Sequence, residues 1–211
     1  MPISLAMKKR EAEFSGITED DVEKKMRKAW KIMKESARKP LKDPVPCIGG
    51  LIGGEAKKLK EYHEKGQSVC GDLMSRAITY AMAVLEVNAS MGVIVAAPTA
   101  GSSGVVPGVL LALQEEYDLT DEEILNGLYT AGAVGYLLMR NASVAGAEAG
   151  CQAEVGAASA MAAAAAVEIM GGTPGMCLNA ASGALANLLG LVCDPIAGLV
   201  EAPCQNRNSV G

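Results

Sequence analysis

The chain has 211 residues, a formal net charge of −5 and only 3% aromatic residues, against 34 alanines, 24 glycines and 11 methionines. So few rings and β-branched runs argue against a sandwich or barrel, which draws on Val, Ile, Thr and aromatics, and small residues favour closely approaching helices. The net acidity excludes the chain as a whole as an electrostatic match for nucleic acid.

The charge is unevenly spread. Residues 1–65 carry sixteen basic and eleven acidic side chains, and residues 66–211 three basic and thirteen acidic. A basic helix and Pro-rich linker are expected over 1–45, and a helical domain over 46–211. The basic run fits either a solvated helix face or a docking surface for an acidic partner.

In chain order, Thr18-Glu19-Asp20-Asp21 opens a helix with a capping-box-like pattern. Its apolar period runs through Val22, Met26, Ala29, Trp30, Met33 and Ala37 until Pro40, Pro44 and Pro46 end it. After the paired glycines of CIGGLIGGEAKKL come a short helix at about 55–64 and a buried helix over 71–87. The segment 92–97 is the only strand candidate. APTAGSSGVVPG is a loop, followed by a helix over Val109–Glu116. Thr120-Asp121-Glu122-Glu123 is a second capping box, starting a helix to about Met139. Residues 145–170 are Ala-rich and read as a buried helix. Leu178–Leu191 is apolar and small, and CDPIAGLVEAPC reads as a Pro-punctuated loop. The expected fold is all-α.

The N-terminus has no apolar core of signal-peptide length. The uncharged stretches Val87–Gln114 and Ile169–Cys193 are interrupted by Pro, Gly or Asn, so neither is expected to span a membrane. A cytoplasmic protein is expected.

There is no GxGxxG, Walker loop, HExxH or CxxC in the chain. The single histidine, His63, fits a solvated or capping role. Glu148, Glu154 and Glu168 share the Ala-rich segment and could be functional or simply pair with Arg140 or Arg207. In Thr99-Ala100-Gly101-Ser102-Ser103-Gly104, three hydroxyls and two glycines precede a helix. Such a loop can cradle a carboxylate or phosphate, and an ordinary N-cap would look the same. The six cysteines lack a secretory context, so a disulfide framework is not expected. Cys151, Cys193 and Cys204 lie beside turns whose amides can stabilise a thiolate. Their spacing has no close pair of the zinc-ribbon kind and fits core cysteines equally well.

Three long stretches carry a resemblance. NASMGVIVAAPTAGSSGVVPG (88–108), AGAEAGCQAEVGAASAMAAAAA (145–166) and NLLGLVCDPIAGLVEAPCQNRN (187–208) resemble the α chain of iron–sulfur-dependent L-serine dehydratase, and LIGGEAKKL (51–59) agrees. The resemblance covers about residues 40–211. It implies an α-helical bundle and makes 46–211 an iron–sulfur catalytic domain that continues past residue 211. It also implies a [4Fe–4S] cluster held by three cysteines, matching Cys151, Cys193 and Cys204, and leaves Cys47, Cys70 and Cys177 as structural thiols.

By the same resemblance Thr99, Gly101, Ser102, Ser103 and Gly104 hold the substrate carboxylate. The activity implied is a carbon–nitrogen lyase, L-serine ammonia-lyase, of amino-acid catabolism and gluconeogenesis. The family's Gly-Pro-Ser-Ser-Ser-His-Thr motif is absent here, so the base is expected on a β chain, with Glu148 or Glu154 as in-chain alternatives. A related cluster enzyme acting on L-cysteine, and a non-catalytic helical scaffold, are the rival readings.

Overall fold

A computed structural model describes all 211 residues. It contains nine helices: α1 (Ile3–Ser15), α2 (Glu19–Lys42), α3 (Glu55–Glu64), α4 (Gly71–Ala89), α5 (Val105–Glu116), α6 (Asp121–Asn141), α7 (Gly146–Ile169), α8 (Pro174–Asn187) and α9 (Glu201–Val210). There is no strand. Residues 92–97 run as coil between α4 and α5, and one isolated bridge, Ile196 with Leu199, closes a turn before α9. The all-α expectation holds.

Local signals account for several boundaries. The Thr18 hydroxyl accepts from the Asp21 amide at 3.1 Å, and Glu19, Asp20 and Asp21 face the positive end of α2. The predicted capping box at Thr120 and Glu123 is complete. Pro40 does not stop α2, which runs to Lys42. In the last turn a proline sacrifices a single backbone bond, and the Pro40 ring is fully buried.

Prolines near helix starts behave alike. Pro107, Pro174 and Pro203 sit in the first turns of α5, α8 and α9, where a missing N–H has no helical partner to lose. Hence α5 begins four residues earlier than predicted and α8 begins at its Pro-Gly punctuation. The last four residues of CDPIAGLVEAPC are helix rather than loop, so Cys204 stands on α9.

Helix α7 packs against α5, α6 and α8. Small residues set that spacing. A Cβ at Gly127 of α6 would collide with Ile169, and one at Gly135 with Met161. One core cluster of 33 buried residues joins α1 and α2 to the rest, with Trp30, Leu110, Ile124 and Val155 among its members. Helix α1, which the apolar pattern did not announce, is tied on by Glu168: its two carboxylate oxygens accept from the Ile3 and Ser4 amides, each at 3.1 Å. Helix α8 buries only Cys177 and Ala181, leaving Met176 and Leu178 exposed. No helix is long and apolar enough to cross a membrane.

Candidate active site

The site is assembled where α7 starts. Gly150 breaks the helical geometry there with φ 76°. A Cβ at this position would strike the Leu191 carbonyl and the Val192 backbone, so the 188–193 segment can lie directly on α7 only because residue 150 is glycine. Two hydrogen bonds fasten it: Gln152 N donates to Leu191 O, and Gly190 N donates to Gln152 Oε1, both at 2.9 Å. The result is that Cys151, buried at the head of α7, neighbours the loop that carries the exposed Cys193.

Helix α9 closes the arrangement. Arg207 donates to Val192 O at 2.8 Å and to Asp194 Oδ2 at 3.0 Å, tying α9 to the Cys193 loop. Cys204 and Asn208 are four residues apart and therefore on one helix face. The Asn208 amide donates to Gly101 O at 2.7 Å and to Cys204 O at 2.8 Å, and its carbonyl accepts from Gly104 N at 2.9 Å. One side chain thus joins the cysteine helix to the Gly/Ser loop.

Within that loop the hydroxyls and amides have separate tasks. Ser102 and Ser103 are wholly buried, and their hydroxyls donate inward, to Ala97 O at 3.2 Å and Ala100 O at 2.7 Å. They shape the loop. The amides of Ala100 and Gly101 donate to no protein acceptor, and two such consecutive donors ahead of a helix suit an anion. Thr99 donates its hydroxyl proton to Glu154, and neither Gly101 nor Gly146 has room for a Cβ against that carboxylate.

Glu154, Cys193, Cys204, Ala100, Gly101, Gly146 and Asn88 line one cavity of about 530 Å³. Burial pushes the Cys151 thiol up, with Glu154 and Cys193 adding to the rise and Arg207 opposing it. Burial also pushes Cys204 up to about 12, reinforced by Glu154, Cys151 and Cys193. Cys151 and Cys204 therefore both lie near Cys193 and Glu154. No three His, Cys, Asp or Glu side chains close around a single point as the ligands of one metal ion do. A polynuclear cluster divides its thiolates among separate irons, so its donors stand further apart. Two soft, free thiols, Cys193 and Cys204, line the cavity, and Cys151 lies beside the Cys193 loop, a donor set that suits such a cluster.

The other candidates separate cleanly. Glu148 is exposed and accepts from Ser143 Oγ at 2.7 Å, while Glu168 caps α1. Neither pairs with Arg140 or Arg207. His63 sits at the end of α3, 3.8 Å from Asp72 and outside the cavity. Cys47 is buried with its sulfur 2.7 Å from Ile52 O, Cys177 is buried in α8, and Cys70 is exposed ahead of α4. Sequence reasoning missed Asn208, Gly150, Gln152 and Arg207 as site-building residues. The signal for Asn208 is its helical spacing from Cys204, which appears only once α9 is seen to begin at Glu201.

These features define an all-α protein with a cavity lined by Cys193, Cys204, Glu154, Glu201 and the Ala100–Gly101 backbone, and with Cys151 held beside it. The chain belongs to the serine dehydratase alpha chain family, whose model matches residues 1–211. It is 48% identical over 209 residues to the probable L-serine dehydratase alpha chain of Bacillus subtilis, covering 99% of this chain and 69% of that one. It is 48% identical over 201 residues to the L-serine dehydratase alpha chain of Peptoniphilus asaccharolyticus, covering 95% and 69%. The L-serine dehydratase of Streptomyces coelicolor is 38% identical over 198 residues, covering 91% of this chain but 43% of that protein.

Proposed function

We propose that this chain is the α subunit of an L-serine dehydratase, converting L-serine to pyruvate and ammonia, with Cys151, Cys193 and Cys204 holding a [4Fe–4S] cluster. The observation that carries the reading is the shared cavity: Cys193, Cys204, Glu154 and the Ala100–Gly101 backbone line it together, with Cys151 tied to the Cys193 loop through Gln152. The names of the relatives favour serine over cysteine as substrate. When bound through three thiolates, such a cluster supplies an open iron, a Lewis acid toward the departing β-hydroxyl.

The chain's own residues supply position and charge. The amides of Ala100 and Gly101, which line the cavity, receive the substrate carboxylate, with Ser102 and Ser103 holding the loop in shape from beneath. Glu154, fixed by Thr99, presents a carboxylate to the cavity, while Glu201, which also lines it, is occupied by the Gly49 and Leu51 amides. Glu154 is placed for the substrate ammonium or, if no β chain supplies a base, for the Cα proton. A base must stand within hydrogen-bond reach of that proton, and Glu148, turned outward to Ser143, does not line the cavity. Loss of the Cα proton and the hydroxyl gives aminoacrylate, which tautomerises and hydrolyses to products.

The alpha-chain names of two relatives imply a multi-subunit enzyme, and the Streptomyces coelicolor protein is more than twice as long as the segment matched here. A β chain bearing the base fits both facts. Anaerobic co-expression with a β chain, assaying pyruvate from L-serine, L-threonine and L-cysteine, tests the reading. Turnover of L-serine supports it; release of sulfide from L-cysteine with no turnover of L-serine replaces it with the desulfidase reading.

A further inference from the structure

Glu86 is a carboxylic acid with no exposure at all, in the last turn of α4 and outside the chemistry described above. Its Oε1 accepts from the Ala56 amide at 2.9 Å and from Gln205 Nε2 at 3.4 Å. Its Oε2 is buried without a partner. Such a group is costly to bury, and a leucine of similar size would be cheaper for stability alone. What the carboxylate does is join three elements. Helix α3 starts at Gly54 with no side-chain cap of its own, and Glu86 serves as its cap from thirty residues away. Through Gln205, 2% exposed, the same oxygen reaches α9 next to Cys204.

A second carboxylate works from the other end of the same segment. Glu201, in the first turn of α9, accepts from Gly49 N at 2.7 Å, Leu51 N at 3.3 Å and the Cys47 thiol at 3.0 Å. Gly49 leaves no space for a Cβ against Glu201 and Leu199. The segment Cys47–Ala56 is therefore gripped twice, at its start by α9 directly and at its end by Glu86, which also holds α9.

We propose that Glu86 is a positioning residue for Cys204: acting through Gln205, with Glu201 as the second point of a latch onto the Cys47–Ala56 segment, it sets where α9 rests on α4. The proposal rests on the reading that Cys204 is a ligand, but its test does not use iron. The reduced, iron-free full chain is treated with iodoacetamide, and labelling of each cysteine is followed by mass spectrometry alongside amide exchange of residues 47–56 and 201–210. Cys177, buried on α8, is the internal reference.

Glu86→Leu and Gln205→Leu should each speed Cys204 labelling about tenfold or more relative to Cys177, the consequence of losing a hydrogen bond to a carboxylate. Glu86→Leu should also expose the Ala56 amide to exchange. Glu86→Gln, which keeps the Oε1 acceptor, should restore both within about twofold of the unmodified chain. If Glu86→Leu does not fold, Gln205→Leu carries the test alone. Unchanged Cys204 labelling, or equal acceleration at Cys177 and Cys204, overturns the proposal, because the first means no coupling and the second a general loosening. Iron binding by Cys204 stands or fails separately.

Discussion

Thr99 and Glu154, fifty-five residues apart, share a hydrogen bond in which the hydroxyl donates to the carboxylate. That bond ties the loop before α5 to the helix that carries Cys151, and it fixes the one carboxylate that faces the cavity from α7.

Thr99→Val should leave Glu154 free to rotate while keeping the side-chain volume. A hydrogen bond to a charged group is worth about 1.5–3 kcal/mol, so kcat/KM for L-serine should fall roughly 10- to 150-fold. Thr99→Ser, which keeps the hydroxyl, should stay near the parent value. Steady-state kinetics of the two-chain enzyme, with iron content measured in parallel, separates a lost contact from a lost cluster. Equal kinetics for Thr99→Val and the parent would remove this bond from the account.

Gly150→Ala places a methyl against the Leu191 carbonyl and forces a left-handed φ of 76° on an L-residue. A strained substitution of this kind should cost more than about 1 kcal/mol. The damage should be local, raising labelling of Cys193 and Cys151 and lowering iron retention. Thermal unfolding together with iron analysis checks it; a stable variant with full iron would contradict the role given to Gly150.

Asp121 accepts from Lys34 Nζ, Gln114 Nε2 and the Trp30 indole, each at 2.9 Å. Lys34, then Gln114, hold its carboxyl down at about 2, against an ordinary 3.8. A depressed folded-state value contributes stability above the unfolded pKa and loses it as pH falls from about 4 toward 2. Asp121→Ala should flatten that part of the acid unfolding curve. It should also cost about 1–3 kcal/mol at neutral pH by orphaning the buried Trp30 N–H. Urea unfolding at pH 7 and pH 3 measures both effects.

The α chain reconstituted alone should release little pyruvate, and adding a β chain should restore turnover. The cavity is lined by two carboxylates, Glu154 fixed by Thr99 and Glu201 held by Gly49 and Leu51, and by no histidine. Robust turnover by the α chain alone would assign the base to Glu154.

What could be seen in the sequence was whatever is local. Thr18 and Thr120 announce α2 and α6 because a cap and its acids sit within one turn of each other. Helices α1, α3 and α5 have no such signal. Glu168 caps the first, Glu86 the second, and Asn208 binds Gly104 at the start of the third. Contacts spanning 30 to 165 residues leave no trace in a periodic pattern. The same reason hid the site's framework. The resemblance pointed to Cys151, Cys193 and Cys204, yet Gly150, Gln152 and Arg207 act only through the fold. Prolines misled in one direction, since Pro40, Pro107 and Pro203 all lie inside helices at the turns that tolerate them.

The central claim, that three particular cysteines hold the cluster, is tested most directly by iron content across single Cys→Ser variants purified anaerobically. Serine offers a hard oxygen where iron–sulfur chemistry wants a soft thiolate. The account predicts that Cys151→Ser, Cys193→Ser and Cys204→Ser each lose the iron and its broad visible absorption, while Cys47→Ser, Cys70→Ser and Cys177→Ser retain them. Loss of iron in Cys177→Ser with full iron in Cys193→Ser would contradict it.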